Sequence, residues 1–161
     1  MIGYKLCKKK NGRYYPLYVN TNDEFVLGCE YKATEGPRTE RGKVKSKLGE
    51  LAYRPGIHLS DIPLADHIGA RMSDGTLARK SDTAWLMCEV SDTIDYTLQA
   101  KANKKKCLEV IPVDGFYFYN TNAQAKANWI IAGSIIPIKE LSREEEIKIC
   151  KLAGFEAQKL A

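Results

Sequence analysis

The sequence predicts an α+β domain, mainly antiparallel β-sheet with short helices and a C-terminal helix. Three observations carry this. Short runs rich in β-branched and aromatic residues recur along the chain, separated by glycine, proline and asparagine turn signals. Strand-like and helix-like segments do not alternate regularly, which argues against a doubly wound parallel sheet. One strongly capped helical segment lies near the end, at Ser142 to Ala153.

The elements follow in order. Tyr4-Lys5-Leu6-Cys7 alternates, Asn11-Gly12 is a two-residue turn signal, and Tyr14 to Val19 continues as an aromatic strand, so the N-terminus reads as a hairpin. Pro16 places that second strand at an edge or bulge. Glu24 to Leu27 is a short strand ending at Gly28. Arg38 to Lys47 carries Arg38, Arg41, Lys43, Lys45 and Lys47 and reads as an exposed, mobile loop. Basic side chains on such a segment can close over an anionic ligand as a flap. Ala52 to Leu59 enters as a strand. Asp61 then N-caps a short helix with Pro63 in its first turn and Gly69 past its end.

Ser73-Asp74-Gly75 is a turn. Thr83 to Val90 is a buried strand, with Ala84, Leu86 and Cys88 on one face and Trp85, Met87 and Glu89 on the other. Lys101 to Lys106 is an exposed lysine-rich connection, and Leu108 to Val113 a short strand broken by Pro112. Gly115 to Tyr119, Trp129 to Ala132 and Ser134 to Ile138 are further strands. In the last helix Ser142 and Glu145 form a capping-box pair, and Gly154 marks the stop. Ile147, Cys150 and Ala153 give it a buried face.

The 161 residues make a single globular domain, residues 1–161. A net charge of +5 is mildly basic and permits a nucleic-acid or nucleotide partner without requiring one. Five widely spaced cysteines with no C-x-x-C pair exclude the usual zinc-ribbon and redox motifs. Cys88 and Cys150 read as small buried hydrophobes. Lysines interrupt the N-terminus, and no run approaches a membrane span, so the expectation is a soluble chain of the cytoplasm with no membrane partner. Phosphate-loop, dinucleotide-fingerprint and nucleophile-elbow motifs are absent.

The densest chemistry lies between Tyr53 and Gly69, which holds both histidines. Arg54 precedes Pro55 and is biased to extended backbone. Gly56 allows a close approach, and alternation puts Arg54 and His58 on one face. A guanidinium there would grip a phosphate or carboxylate, and an imidazole beside it could move a proton near neutral pH. His67 follows. The histidines are too far apart for a helical metal pair, so zinc would need Asp61, Asp66 or Glu89 as a further ligand. Glu89 is a carboxylate at a strand end, Asp82 precedes the same strand and can orient Arg54 or a histidine, and Trp85 and Trp129 are candidate stacking walls. The candidates are thus Arg54, His58, His67 and Glu89 for catalysis, and Asp82, Trp85 and Trp129 for binding, with no metal site.

Gly3-Tyr4-Lys5-Leu6, Pro16 to Asn20, Arg54-Pro55-Gly56-Ile57-His58 with Pro63, Ala65 and His67, Asp82 to Trp85 with Glu89, and Trp129 to Gly133 together form a pattern. By it the chain resembles a family of small phage and mobile-element proteins, whose segments also occur inside large polyvalent phage proteins. That family usually has tryptophan where Ile57 stands. The resemblance implies an accessory protein acting in the host cytoplasm on a host protein or nucleic acid. Gly56 to Ser60 and Glu89 are also distantly similar to ADP-ribosyltransferase-like domains, which implies NAD as the ligand, with Arg54 on its phosphates, His58 or His67 on its ribose or amide, and Glu89 opposite the developing charge.

Overall fold

The computed structural model describes residues 1–120 and 126–161. Its architecture is α+β, dominated by one largely antiparallel sheet. The strands are β1 (Ile2–Lys10), β2 (Arg13–Tyr15), β3 (Tyr31–Lys32), β4 (Val44–Ser46), β5 (Gly49–Leu51), β6 (Ile57–Ser60), β7 (Ala70–Arg71), β8 (Leu77–Ala78), β9 (Thr83–Val90), β10 (Ile94–Asp95), β11 (Gly115–Tyr119), β12 (Trp129–Ala132) and β13 (Ser134–Glu140). The helices are α1 (Thr97–Ala102) and α2 (Arg143–Leu152). The main sheet runs β10-β11-β12-β6-β1-β9-β13-β3, with β2 paired to β1; β4-β5 and β7-β8 are separate hairpins.

The sheet is curled, and the chain itself proves it. Only Gly133 links β12 to β13, yet β6, β1 and β9 lie between them in the sheet. Four strand spacings on a flat sheet would be about 19 Å, whereas two Cα steps span at most about 7.6 Å. The sheet must therefore wrap round so that β12 and β13 meet at a corner. A side chain at position 133 would strike the carbonyl of Pro112, which explains the glycine.

The concave face holds the main core: Cys7, Ile57, Leu59, Ala84, Leu86, Cys88, Val90, Phe116, Ile130, Ala132 and Ile135 among others. Strand alternation sends the other set outward. Tyr4, Leu6, Trp85 and Leu141 pack there with Ile149 of α2, and Tyr117, Tyr119 and Ile131 pack with Ala100 of α1. Helix α2 carries the expected capping box, with Ser142 accepting from the Glu145 backbone and Glu145 accepting from that of Ser142.

Several expectations need correction. The segment after Asp61 is not helical but a series of turns. Asp61 instead accepts hydrogen bonds from the backbone and side chain of Asn128, pinning β6 to the start of β12. The basic segment Arg38 to Lys47 is not a bare loop. Its second half is strand β4 of a hairpin, and Arg38 lies over the Tyr53 ring at 3.5 Å. The strand expected at Leu108 to Val113 does not form, and part of the lysine-rich connection is α1. The strand expected over Tyr14 to Val19 ends at Tyr15, before Pro16, and Glu24 to Leu27 contributes only an isolated bridge at Phe25.

The buried face of α2 is Glu146 and Cys150, while Ile147 and Ala153 are exposed. Glu146 is 1% exposed and receives two hydrogen bonds from Arg79, at 3.1 and 2.7 Å. Arg143 adds a second cation 3.0 Å from the carboxylate. A period-based reading puts carboxylates outside; here a buried arginine overrides it.

Candidate functional site

The sheet has a defect where the site lies. Strands β1 and β6 are neighbours, yet only Tyr4 and Ser60 pair between them. Beyond that point the strands separate, and the carbonyl of His58 accepts a hydrogen bond from the Lys5 ammonium at 2.8 Å. A side chain thus replaces a ladder bond, and the gap opens into a cavity of about 920 Å3. That is within the usual size range of small-molecule sites, roughly 300–1,000 Å3.

Gly56 sets the approach. Its φ is +130°, and an added Cβ would collide with Ile131. The turn it makes places Arg54 back against the strand, where His58 Nε2 lies 3.0 Å from the Arg54 carbonyl. A carbonyl only accepts, so Nε2 carries the proton and Nδ1 of the neutral ring is an acceptor. Desolvation moves the His58 pKa down to about 4, with the Lys5 and Arg54 charges adding to the shift. His58 is therefore neutral at physiological pH.

The Arg54 guanidinium lies 4.9 Å from the Tyr119 ring centroid and has no carboxylate partner among the described residues. Among the described residues the Lys5 ammonium likewise has only the His58 carbonyl as a hydrogen-bond partner. Burial lowers its pKa to about 8. His67 stands at the cavity, edge-on to Trp129 with ring centroids 5.2 Å apart. Its ring is open to solvent on one side, yet packing still lowers its pKa. Asp66 and Lys126 pair across the rim at 3.9 Å. The lining thus carries three cations, Lys5, Arg54 and Lys126, against one carboxylate, Asp66. Apolar wall comes from Leu6, Leu17, Leu64 and Ile68, and from Val44, Leu48 and Leu51 of the β4–β5 hairpin. The hairpin covers the cavity with aliphatic residues, while Lys43, Lys45 and Lys47 point elsewhere and are exposed. They do not form the phosphate-contacting flap that their charge suggests.

Of the residues singled out from sequence, Arg54, His58, His67 and Trp129 all line this cavity. Glu89, Asp82 and Trp85 do not. Glu89 is exposed on β9 opposite Ile2 and Ile136. Asp82 is exposed and paired with Lys8 at 2.8 Å, whose hydrogen bond lowers its pKa. Trp85 is 1% exposed and belongs to the outer-face core with Tyr4, Leu6 and Leu141. No group of three His, Cys, Asp or Glu among the described residues is placed to hold a metal ion. No helix among them is long and apolar enough to cross a membrane.

Lys5 and Tyr119 escape a sequence reading, and Asp66 enters it only as a possible zinc ligand. Lys5 had one visible signal: it shares a strand face with Gly3 and Cys7, an apolar face on which a lysine is out of place. Comparison of the chain with family models, with curated proteins and with solved structures returns no match.

Proposed function

We propose that the chain binds a small ligand combining a flat ring with a phosphate or carboxylate, a nucleotide-class molecule such as NAD or ADP-ribose. The observation that carries the reading is the Arg54 guanidinium, free of any carboxylate among the described residues, in the same cavity as Trp129, His67 and Tyr119. Guanidinium groups match phosphate oxygens in paired hydrogen bonds, and aromatic faces take a base or nicotinamide. The reading is one of binding rather than ADP-ribosyl transfer. Glu89 is outside the cavity, and Asp66 is the one carboxylate that lines it.

The test is a thermal-shift series with NAD, ADP-ribose and mononucleotides on the wild type and on Arg54→Ala. A ligand at a hundred times its Kd adds about 2.7 kcal/mol to stability, a rise of roughly 5–11 °C for a chain of this size. The rise should vanish in Arg54→Ala. A wild type indifferent to the whole series would overturn the reading.

A second reading, a phage accessory protein gripping a host protein or nucleic acid in the host cytoplasm, has its own support. Lys43, Lys45 and Lys47 at the hairpin, Lys101 in the last turn of α1, and Lys104 and Lys105 beyond it are exposed without acid partners among the described residues. Salt-dependent gel retardation abolished by charge reversal there would favour it.

A further inference from the structure

We propose that Lys5 is a reactive amine that condenses with the aldehyde or ketone of a ligand whose phosphate or carboxylate is held by Arg54. This rests on the reading of the cavity as a small-molecule site and adds a chemical step to it.

The chain treats its enclosed cations in two ways. Arg79 is matched by the Glu146 carboxylate through two hydrogen bonds, and that carboxylate also faces Arg143. Arg79 is thus a structural cation with a carboxylate of its own. Lys5 sits in the middle of β1 on the inward face, and among the described residues its ammonium has only a neutral carbonyl. No carboxylate lies within ion-pair distance of it among the described residues; the ionisable groups that act on it are the thiols of Cys7 and Cys88, the neutral His58 is tied to it through its carbonyl, and Arg54 lines the same cavity. A lysine desolvated by burial, without a carboxylate to hold its charge, is the arrangement that frees an amine for attack on carbonyls. With a pKa of about 8, roughly a tenth of Lys5 is free amine at neutral pH. For an ordinary lysine the share is about three in ten thousand.

The step balances without a co-reactant. The Lys5 nitrogen bonds to the carbonyl carbon, and the carbonyl oxygen leaves as water. Of the three ammonium protons, two leave in that water and one stays on the iminium nitrogen. The ligand class follows from what surrounds the amine: a carbonyl for Lys5, an anionic group for Arg54, and a ring or sugar against Trp129 and His67.

Pyridoxal 5′-phosphate combines all three features and serves as the probe. The full chain is incubated with it at neutral pH, reduced with borohydride, and its labelled peptides are mapped by mass spectrometry. Lys5 should be labelled first, at least tenfold faster than exposed lysines such as Lys104. Arg54→Gln should slow Lys5 labelling by pyridoxal phosphate about tenfold and leave labelling by pyridoxal, which has no phosphate, nearly unchanged. Label spread over exposed lysines, with Lys5 no faster than the rest, overturns the proposal. Equal slowing by both probes in Arg54→Gln overturns the role given to Arg54. Wild-type mapping decides the first point even if a variant fails to fold. Absent Lys5 labelling in a protein that nucleotides still stabilise refutes the amine and spares the cavity reading. Rapid Lys5 labelling in a protein that no nucleotide stabilises does the reverse.

Discussion

Replacing Glu146 with alanine removes the single carboxylate that faces both Arg79 and Arg143. Arg79 is 9% exposed, and among the described residues its Nη1 would keep the neutral Thr83 carbonyl and hydroxyl, at 2.7 and 3.4 Å. Breaking one side of a buried pair typically costs about 3–5 kcal/mol, because the remaining charge stays buried and uncompensated. For a chain of this size that is a fall in Tm of roughly 6–20 °C. Urea unfolding followed by tryptophan fluorescence reads it directly, since Trp85 is buried in the core beneath α2. The double substitution Arg79→Met with Glu146→Leu removes both charges and should recover most of the loss, since apolar replacements of buried pairs are often neutral or better. A Glu146→Ala cost below about 1 kcal/mol, or a double variant no more stable than the single, would refute the reasoning. The ion cluster would then be strained or solvated rather than a tie between α2 and the chain that follows β8.

Gln158 is 6% exposed, and its side chain accepts from the Ala65 amide and donates to the carbonyls of Ile68 and Leu77. Gln158→Ala orphans a buried amide, costs about 1–3 kcal/mol, and should speed hydrogen exchange at Ala65; unchanged exchange would show that the wall near His67 holds itself. His58 titrates at about 4 in the folded chain, against about 6.5 when unfolded, so the unfolded chain binds more protons between these values. Stability therefore falls as pH drops from about 6.5 to 4 and then levels, by roughly 2–3 kcal/mol. In His58→Gln the wild-type-minus-variant difference should lose that slope; an identical pH profile would show that His58 is solvated.

The fold class was legible because its signals are local. Asn11 and Gly12 both take the positive φ that a two-residue hairpin demands. Thr83 to Val90 shows its two faces by alternation, and Ser142 with Glu145 caps α2 as written. The failures were also local rules overruled at a distance. Asp61 has the look of an N-cap, but Asn128 takes its carboxylate. Glu146 sits where a helix usually shows solvent an acid, but Arg79 approaches from β8. In the candidate site Arg54 and His58 do come together, but not by strand alternation: the strand expected from Ala52 begins only at Ile57, and the turn at Gly56 returns Arg54 to the His58 ring. Trp129 and His67 were readable only as separate candidates, and Glu89 was grouped with them on chemistry alone.

By itself, then, the sequence determined an α+β sheet protein, its capped last helix, its scattered free thiols, and a dense Arg54–His67 segment. Those follow from turn preferences, period and composition, which act over a few residues. The tertiary structure decided that β1 and β6 part after one pair, that Lys5 and Arg54 line one cavity with no ion-pair partner for either among the described residues, and that Glu89 stays outside it. Those depend on sheet order and on a curl forced at Gly133. Residues far apart in the chain meet only after that closure, and no local preference encodes the meeting.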